Sequence, residues 1–508
     1  MTDSIIKKSL WDFGSKLILA SFSFFQFLRW PILPQYMDIY YHIQSGWGFI
    51  KAGGYSGWDF WQCAPVGRPN IYPPVFHIII AFLMKLGVDP IIIAKTAEAA
   101  APVLFLAILW LFIRNNYGQR LAFFVLVASC SSFSFYLVLM NHIPATLAFI
   151  FGFLAADLIL GGSVLRASLL LSLAFYTHIG VSLFLFLAVI LYLIYIKDYR
   201  RMPVIIATVL ILSLPMTAGY FFRINAISPA GLLINEKYFS QIKLLDYAFA
   251  FFGLILSARA KGKYLFFLSL LLASLIFLFY PYRFFSGEGY LPVMLLAAMA
   301  IAYIFEKAMG LKQVLRYAVS LLIIFLLALS PTLAFDKPEG PGQMRCGFKL
   351  YDSAFQNLLL ANKEALWLPQ YYLPAARIIK DNSSDSDIIY SSMDIIGVAL
   401  AGISGRATAN RLLPEVEAGR YFDPLKESKI IIFTQSDSPE KIRQAVNNYG
   451  LIKIGEENDL FIFYKNPASR AKAGIRRAQV PFYMIIMLFL LFILLFWKAE
   501  ILEKKYLT

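Results

Sequence analysis

Stretches of about 20 apolar residues recur along the chain, and this is the length that a helix needs to cross a lipid bilayer. Apolar residues make up 59% of the 508-residue sequence and charged residues only 15%, a composition typical of a polytopic membrane protein. The candidate spans lie at 15–33, 91–113, 120–139, 143–161, 164–177 with 178–196, 203–222, 244–258, 264–282, 290–305, 317–335 and 481–497. We therefore predict an α-helical polytopic membrane protein with about twelve crossings.

The basic residues lie in short clusters between these spans. The net charge of +15 is therefore typical of cytoplasmic loops, which carry an excess of Lys and Arg, and does not indicate a nucleic-acid partner. The stretch 73–87 is short and begins with two prolines. If it does not cross, and 164–177 and 178–196 cross separately, every basic cluster lies on one side of the membrane. We therefore predict a multi-pass protein of a cell membrane, with both termini cytoplasmic and 34–90 as one long outer loop.

The composition changes at about residue 336, where Gly, Pro and charged residues become frequent. The runs DIIYSS, KIIIFTQ and LFIFYKN are typical of buried strands. MDIIGVALAGISGR and SPEKIRQAVNNYG are typical of helices that end at Gly405 and Gly450. We expect a multi-span domain at 1–335, a small extracytoplasmic α/β domain at 336–480, and a final helix with a cytoplasmic tail at 481–508.

The outer loop gathers polar residues that most of the membrane part lacks. Asp38 begins a stretch with apolar residues at helical spacing, so we expect a helix that starts there and ends at the Gly53–Gly54 pair. Tyr41 and His42 follow within one turn and make a hydrogen-bonding cluster suited to sugar hydroxyls. A carboxylate beside a membrane needs water, a partner or a function. The alternative is that Asp38 only caps the helix.

Other polar residues on the predicted outer side are candidates for substrate binding, and each has a structural alternative. In these alternatives Asp59 would stabilise a loop turn and Arg68 would form a loop salt bridge. His142 and His178 would form hydrogen bonds with neighbouring helices. Glu236 would be solvated, and Arg283 would lie among interfacial tyrosines. The three cysteines and four histidines lack the spacing of a metal site, and we predict none from them.

The loop resembles the first outer loop of the C-type (GT-C) integral membrane glycosyltransferases. The residues that carry the resemblance are Asp38, Tyr40, Tyr41 and His42 after the first span, the WDF segment at 58–60, Pro65 and Gly67, and Pro73 with Pro74. The most similar members are archaeal and bacterial relatives of the oligosaccharyltransferase catalytic subunit and polyprenyl-phosphate-sugar mannosyltransferases. The resemblance implies that Asp38 is catalytic, that sugar donors are carried on polyprenyl (dolichyl) phosphate or pyrophosphate, and that the membrane is a prokaryotic one.

Two departures from the family pattern narrow the expected activity. The sequence lacks the Trp-Trp-Asp-Tyr-Gly motif with which oligosaccharyltransferases bind an acceptor sequon. The second outer loop, LMNHIPATL, has Asn141 and His142 where relatives carry an acidic metal-binding motif. No cofactor is therefore certain, and a requirement for Mg²⁺ or Mn²⁺ stays open.

We expect a glycosyltransferase that moves a sugar from a polyprenyl-phosphate donor to a lipid-linked glycan or protein acceptor at the outer face. In this hypothesis Asp38 is the catalytic base and Arg283 faces the leaving phosphate. Two alternatives stay open, an oligosaccharyltransferase-like enzyme of protein glycosylation and a non-enzymatic lipid or polysaccharide transporter. Transporters usually show internal repeats and ionisable residues at mid-membrane, whereas here the ionisable residues lie at helix ends.

Overall fold

The computed structural model describes residues 2–223, 240–278, 280–328, 332–336, 345–349, 369–412 and 416–506. Helices dominate it up to residue 328, and a sheet region follows before the last helix. The helices of the first part are α1 (Thr2–Leu28), α2 (Asp38–Ala52), α3 (Val75–Lys85), α4 (Pro90–Tyr117), α5 (Gln119–Ser131), α6 (Phe133–Asn141), α7 (Ile143–Leu160), α8 (Val164–Phe175), α9 (Ile179–Tyr195), α10 (Arg201–Arg223), α11 (Leu244–Ala260), α12 (Leu265–Ala273), α13 (Pro281–Phe285), α14 (Tyr290–Met309) and α15 (Gln313–Ala328).

Among the described residues, five helical segments are long and apolar enough to cross a membrane. They are Pro90–Tyr117, Ile143–Leu160, Arg201–Phe222, Tyr282–Met309 and Phe482–Glu503. Further apolar helices of 10–17 residues lie between them. The chain is thus a helical multi-span membrane protein, while the number of twelve crossings and their orientation stay predictions.

Two predicted spans are interrupted by short breaks. The span predicted at 120–139 is divided into α5 and α6 at Ser132, whose hydroxyl accepts a hydrogen bond from the backbone N–H of Phe135. The span predicted at 264–282 is a short α12 that continues as a 3-10 turn at Ser274–Phe277. Periodicity of apolar residues does not reveal such breaks, because both halves stay apolar.

The packing of α11 against α14 depends on Gly253. A Cβ atom added there would lie 2.0 Å from the carbonyl oxygen of Leu296. The two backbones can therefore approach this closely only because residue 253 has no side chain, as is common where membrane helices cross.

We expect Gly253→Ala to lower the unfolding temperature of the purified protein. Overpacking of this kind typically costs about 1–3 kcal/mol. Gly219→Ala in α10 is the matched control, because a Cβ at that position meets no atom within 4 Å. Thermal unfolding in detergent measures both, and equal unfolding temperatures for the two variants would contradict the close-packing argument.

The elements of the region after residue 368 are α16 (Pro369–Asn382), β7 (Ile388–Ser391), α17 (Asp394–Ser404), β8 (Ala407–Thr408), α18 (Pro424–Glu427), β9 (Ile430–Thr434), α19 (Pro439–Tyr449), β10 (Ile452–Glu457) and β11 (Phe461–Lys465). The five strands form a mixed sheet in the order β10-β11-β9-β7-β8. β7 pairs in parallel with β8 and β9, and β11 pairs antiparallel with β9 and β10. The three predicted strands and the two predicted helices are confirmed. Gly405 and Gly450 follow the helices with positive φ angles of 70° and 61°, which glycine adopts readily.

Two further strand pairs and one three-stranded sheet lie in the described part of the chain. β1 (Gly54–Tyr55) pairs with β12 (Val480–Pro481), which leads into α20 (Phe482–Tyr506). β2 (Trp58–Asp59) pairs with β3 (Arg68–Pro69). β4 (Ser240–Lys243), β5 (Thr332–Asp336) and β6 (Arg345–Lys349) form a separate antiparallel sheet.

The outer loop packs on the sheet region. The backbone N–H of Thr408 donates to the carbonyl of Trp61, and the N–H of Ala64 donates to the carbonyl of Thr408, both at 2.9 Å. Helix α2 lies against α17, where the indole N–H of Trp47 donates to the carbonyl of Gly402 at 2.9 Å. The helix that begins at Asp38 is thus held by the C-terminal region as well as by the membrane helices.

Candidate active site

Asp38 is the first residue of α2, where the sequence predicts the helix to start. Met37 occupies the position before the helix and makes no side-chain cap. The alternative that Asp38 is the N-cap is therefore wrong. The helix ends at Gly53 with a φ angle of 83°, as predicted.

The segment before Asp38 is held by a carboxylate from a neighbouring helix. Glu98, buried in α4, accepts hydrogen bonds from the backbone N–H groups of Gln35 at 2.7 Å and Tyr36 at 2.9 Å. The guanidinium of Arg29 donates to the side chains of Gln35 and Tyr136. These contacts fix the backbone at which α2 begins, and so fix the place of Asp38.

The four histidines of the chain converge around His42, one helical turn after Asp38, although they lie far apart in sequence. Nδ1 of His42 and Nε2 of His77 are 2.8 Å apart, and both rings are buried. Burial lowers the pKa of His42 well below its ordinary value, and the nearby His77, His142 and His178 lower it further.

Tyrosines surround this histidine pair. The ring of Tyr41 packs edge-on against His42, Tyr72 and His77, with centroids 5.1 to 5.8 Å apart. Tyr72 also contacts His178, with centroids 6.5 Å apart. His178 caps α9, where its Nδ1 accepts from the N–H of Val181 at 3.1 Å.

Arg283, Glu288 and His142 form an ionic cluster. Nη1 of Arg283 donates to Oε1 of Glu288 at 3.2 Å, and Nδ1 of His142 lies 3.5 Å from the same oxygen. Glu288 is fully buried, while the side chains of Arg283 and His142 retain exposed fractions of 33% and 20%. The second oxygen of Glu288 has no hydrogen-bond partner among the described residues. A buried carboxylate thus holds the guanidinium of Arg283 beside the imidazole of His142, and both side chains keep accessible surface.

Asp38 lies within electrostatic range of this cluster. Burial raises the pKa of Asp38 above its ordinary value of 3.8, and the charges of His142 and Arg283 partly oppose that rise. The hypothesis of a catalytic Asp38 requires Asp38 and Arg283 to lie on the same side of the bundle, and the two side chains are within electrostatic range of each other.

The residues of this cluster differ in their exposure. Asp38, Tyr72, His142, His178 and Arg283 retain accessible surface, whereas His42, His77 and Glu288 are buried behind them. Burial raises the pKa of Asp38 even though its side chain keeps some accessible surface. This combination is typical of a group at the bottom of a recess, where a ligand can reach it.

Asp59 and Arg68 lie in a different environment, and none of their described partners belongs to the Asp38 cluster. Oδ1 of Asp59 accepts from the backbone N–H groups of Trp61 and Gln62, and Oδ2 lies 4.0 Å from Nε of Arg68. Arg68 also donates to the side chain of Gln62 at 2.7 Å. Burial raises the pKa of Asp59, while Arg68 and the two N–H groups oppose the rise. Asp59 therefore stabilises a loop turn and Arg68 forms a loop salt bridge, which are the alternatives to substrate binding stated for these two residues.

We expect Asp59→Asn to destabilise the outer loop without changing acceptor recognition. The change leaves the buried Arg68 without its carboxylate, and breaking a buried ion pair typically costs about 3–5 kcal/mol. Thermal unfolding should show the loss, while the acceptor KM of the folded fraction stays at the wild-type value.

The matched control is Asp381→Asn, since Asp381 is an exposed carboxylate of α16. Exposed charges contribute little to stability. A normal unfolding temperature together with a raised acceptor KM in Asp59→Asn would instead indicate that Asp59 binds the acceptor.

The contacts described above do not bear on Glu236 or on metal binding. Glu236 lies outside the described residues. Within the described ranges, no group of three or more His, Cys, Asp and Glu side chains is arranged to hold a metal ion. The requirement for a divalent cation therefore stays open.

Tyr72, His77 and Glu288 belong to this cluster although their sequence context predicts no role for them. The prolines at 73 and 74 were a usable signal, because they start a short helix that turns His77 back towards α2. The spacing of Glu288 was a second usable signal. Glu288 lies five residues after Arg283, and this spacing allows the two charges to pair.

Comparisons with solved structures show the fold. The archaeal oligosaccharyltransferase AglB from Archaeoglobus fulgidus, in complex with an inhibitory peptide and a dolichol-phosphate, aligns over 89% of this chain and 74% of its own, with TM-score 0.57 and 12% identity. ArnT from Cupriavidus metallidurans, bound to undecaprenyl phosphate, aligns over 90% of this chain and 98% of its own, with TM-score 0.54 and 14% identity. The mycobacterial arabinofuranosyltransferase AftD aligns over 90% of this chain but only 41% of its own, with TM-score 0.52 and 14% identity.

No family profile matches the chain, and no curated protein matches it in sequence. The similarity extends over about nine-tenths of the chain in each structural alignment. The chain therefore has the fold of the C-type integral membrane glycosyltransferases.

Proposed function

We propose that the protein is a glycosyltransferase that moves a sugar from a polyprenyl-phosphate donor to an acceptor at the outer face of the membrane. The observation that carries this proposal is the convergence of Asp38 with His142 and Arg283. A carboxylate and a guanidinium at one site, with an imidazole beside them, match the two charges that the reaction must handle. The acceptor hydroxyl loses a proton, and the leaving phosphate gains negative charge.

In the proposed mechanism Asp38 accepts the proton of the acceptor hydroxyl as that oxygen attacks the anomeric carbon. The bond between the sugar and the phosphate oxygen breaks, and the polyprenyl phosphate leaves with both electrons. A carboxylate whose pKa is raised by burial is a stronger base than an exposed one, which favours proton transfer near neutral pH.

Arg283 stabilises the departing phosphate. Its guanidinium keeps one-third of its side-chain surface exposed while Glu288 holds it from behind, so it is oriented before the donor arrives. Preorganised charge of this kind stabilises a transition state without reorganisation during the reaction. His142, held by the same carboxylate, faces the same charge.

The comparisons support the class of donor. Two of the structures that share this fold are described in complex with dolichol-phosphate and undecaprenyl phosphate. We extend this donor class to the present chain. A monosaccharide donor fits better than an oligosaccharide donor, because the sequence lacks the acceptor-sequon motif of the oligosaccharyltransferases.

The test is sugar transfer in membranes that contain the expressed protein. Radiolabelled monosaccharides on polyprenyl monophosphate, on polyprenyl pyrophosphate and on nucleotides are supplied in parallel, with membrane glycolipids and a sequon-containing peptide as acceptors. Label transferred from the monophosphate donor to glycolipid supports the proposal. Transfer of an oligosaccharide to the peptide would favour the oligosaccharyltransferase alternative, and movement of unhydrolysed donor lipid between leaflets would favour a transporter.

A further inference from the structure

A cavity of about 800 Å³ lies among the helices at the end of the bundle away from the Asp38 site. Its lining includes Trp11, Tyr117, Arg120, Arg259, Tyr303 and Glu306. Tyr303 is 13 residues along α14 from Tyr290, so the cavity is roughly 20 Å from the end of α14 that adjoins Glu288. It is therefore distinct from the candidate active site, and we name it the distal cavity.

The walls of the distal cavity are rigid and aromatic. The ring of Trp11 packs against Phe123 and Phe305, with centroids 5.2 and 5.5 Å apart. Tyr117 contacts Tyr264 at 5.2 Å and donates its hydroxyl hydrogen to the carbonyl of Lys263 at 2.9 Å. Aromatic rings of this kind are typical of the level of the lipid headgroups, where one side of the ring is apolar and the other is wet.

The charges of the lining leave one cation uncompensated. Nη2 of Arg120 pairs with Oε2 of Glu306 at 2.6 Å, whereas no ion pair of Arg259 is found within the described part of the chain. Apolar lining from Leu256 and Met299 lies beside these charges. One free guanidinium above an apolar wall matches a lipid whose headgroup carries a single negative charge.

We propose that the distal cavity binds an anionic glycerophospholipid of the surrounding bilayer. Arg259 pairs with the phosphodiester, the aromatic rings flank the headgroup, and Leu256 and Met299 contact the first methylenes of the acyl chains. The lipid would join α1, α5, α11 and α14 at the end where they are not held by the sheet region. This inference does not depend on the proposed transfer reaction.

Native mass spectrometry of the full chain tests the proposal. The purified protein is equilibrated with equal amounts of phosphatidylglycerol and phosphatidylcholine, and the retained lipids are counted. We expect wild type to favour phosphatidylglycerol about fivefold, the effect of one basic residue at an anionic headgroup. Arg259→Gln should reduce the preference to near unity, and Leu256→Trp, which narrows the apolar wall of the cavity, should reduce the amount of retained lipid.

Arg200→Gln is the matched control, because Arg200 is exposed in another loop between helices and does not line the cavity. It should behave as wild type. Equal retention of both lipids by wild type, or the same loss in Arg200→Gln as in Arg259→Gln, would overturn the proposal. Preferential retention of polyprenyl phosphate at this site would overturn the assignment to a phospholipid.

Discussion

Asp38→Asn is expected to abolish sugar transfer while leaving the protein folded. Asparagine keeps the shape of the side chain and cannot accept the proton of the acceptor hydroxyl. General-base catalysis typically contributes about 10²–10⁴-fold, so we expect the rate to fall by that factor with the donor KM little changed. The measurement is the transfer of label from a polyprenyl-phosphate sugar at equal protein abundance.

Stability should change in the opposite direction from activity. Burial raises the pKa of Asp38, which means that the folded protein disfavours the carboxylate relative to the unfolded chain. At neutral pH the neutral amide removes this penalty, so Asp38→Asn should unfold at the wild-type temperature or above it. Asp381→Asn, on an exposed carboxylate, is the control for both measurements.

Full activity in Asp38→Asn would show that the catalytic assignment is wrong. The glycosyltransferase class would survive that result, and Glu236 and Asp59 would be the next carboxylates to replace. Loss of activity together with a lower unfolding temperature would instead point to a structural role for Asp38.

Arg283→Gln is the second change for which we expect a large effect. Removing one preorganised donor from the site of developing charge typically costs about 10²–10³-fold in kcat, and here the departing phosphate carries that charge. Arg283→Lys should recover part of the rate, because it restores the charge without the planar fork. Arg476→Gln is the control, since Arg476 is an exposed arginine whose guanidinium lies 4.5 Å from the centre of the Trp58 ring.

The pH profile separates this role from a structural one. The charge of Arg283 lowers the pKa of Asp38, so its removal should raise that pKa further. Because the base acts as a carboxylate, activity is lost as pH falls through its pKa, and the acidic limb of kcat/KM should move to higher pH in Arg283→Gln. Arg283→Lys should keep the limb near its wild-type position. A reduced rate with an unmoved limb in Arg283→Gln would contradict the proximity of the two charges.

Local features of this fold were predictable from the sequence, because they depend on neighbours along the chain. The start of α2 at Asp38, its end at Gly53, and the glycines at 405 and 450 all follow from periodicity and backbone preference. The strands of the sheet followed from short apolar runs between turn residues. The break at Ser132 did not, since a serine between apolar runs also fits an unbroken helix.

The pairing of polar residues was harder to predict, because it depends on contacts between distant parts of the chain. His42 meets His77 35 residues away, and Glu98 holds a backbone segment 62 and 63 residues before it. The sequence predicted that His42 and His77 lie in one loop and that Glu98 lies in a span, but it could not say which residues would touch. The same limit applies to Asp59, whose ion pair with Arg68 depends on the pairing of β2 with β3.

All imidazole groups of the chain lie at one site, so the signals of the histidine side chains can report on that site. The sequence contains four histidines, and His77, His142 and His178 all lie within electrostatic range of His42 in the candidate site. Selective isotope labelling of histidine would therefore give a spectrum in which every side-chain signal comes from the candidate site. A donor analogue, an acceptor or a divalent cation could each be titrated in such a sample. The number of perturbed signals would then map occupancy of the site without substitution of any residue.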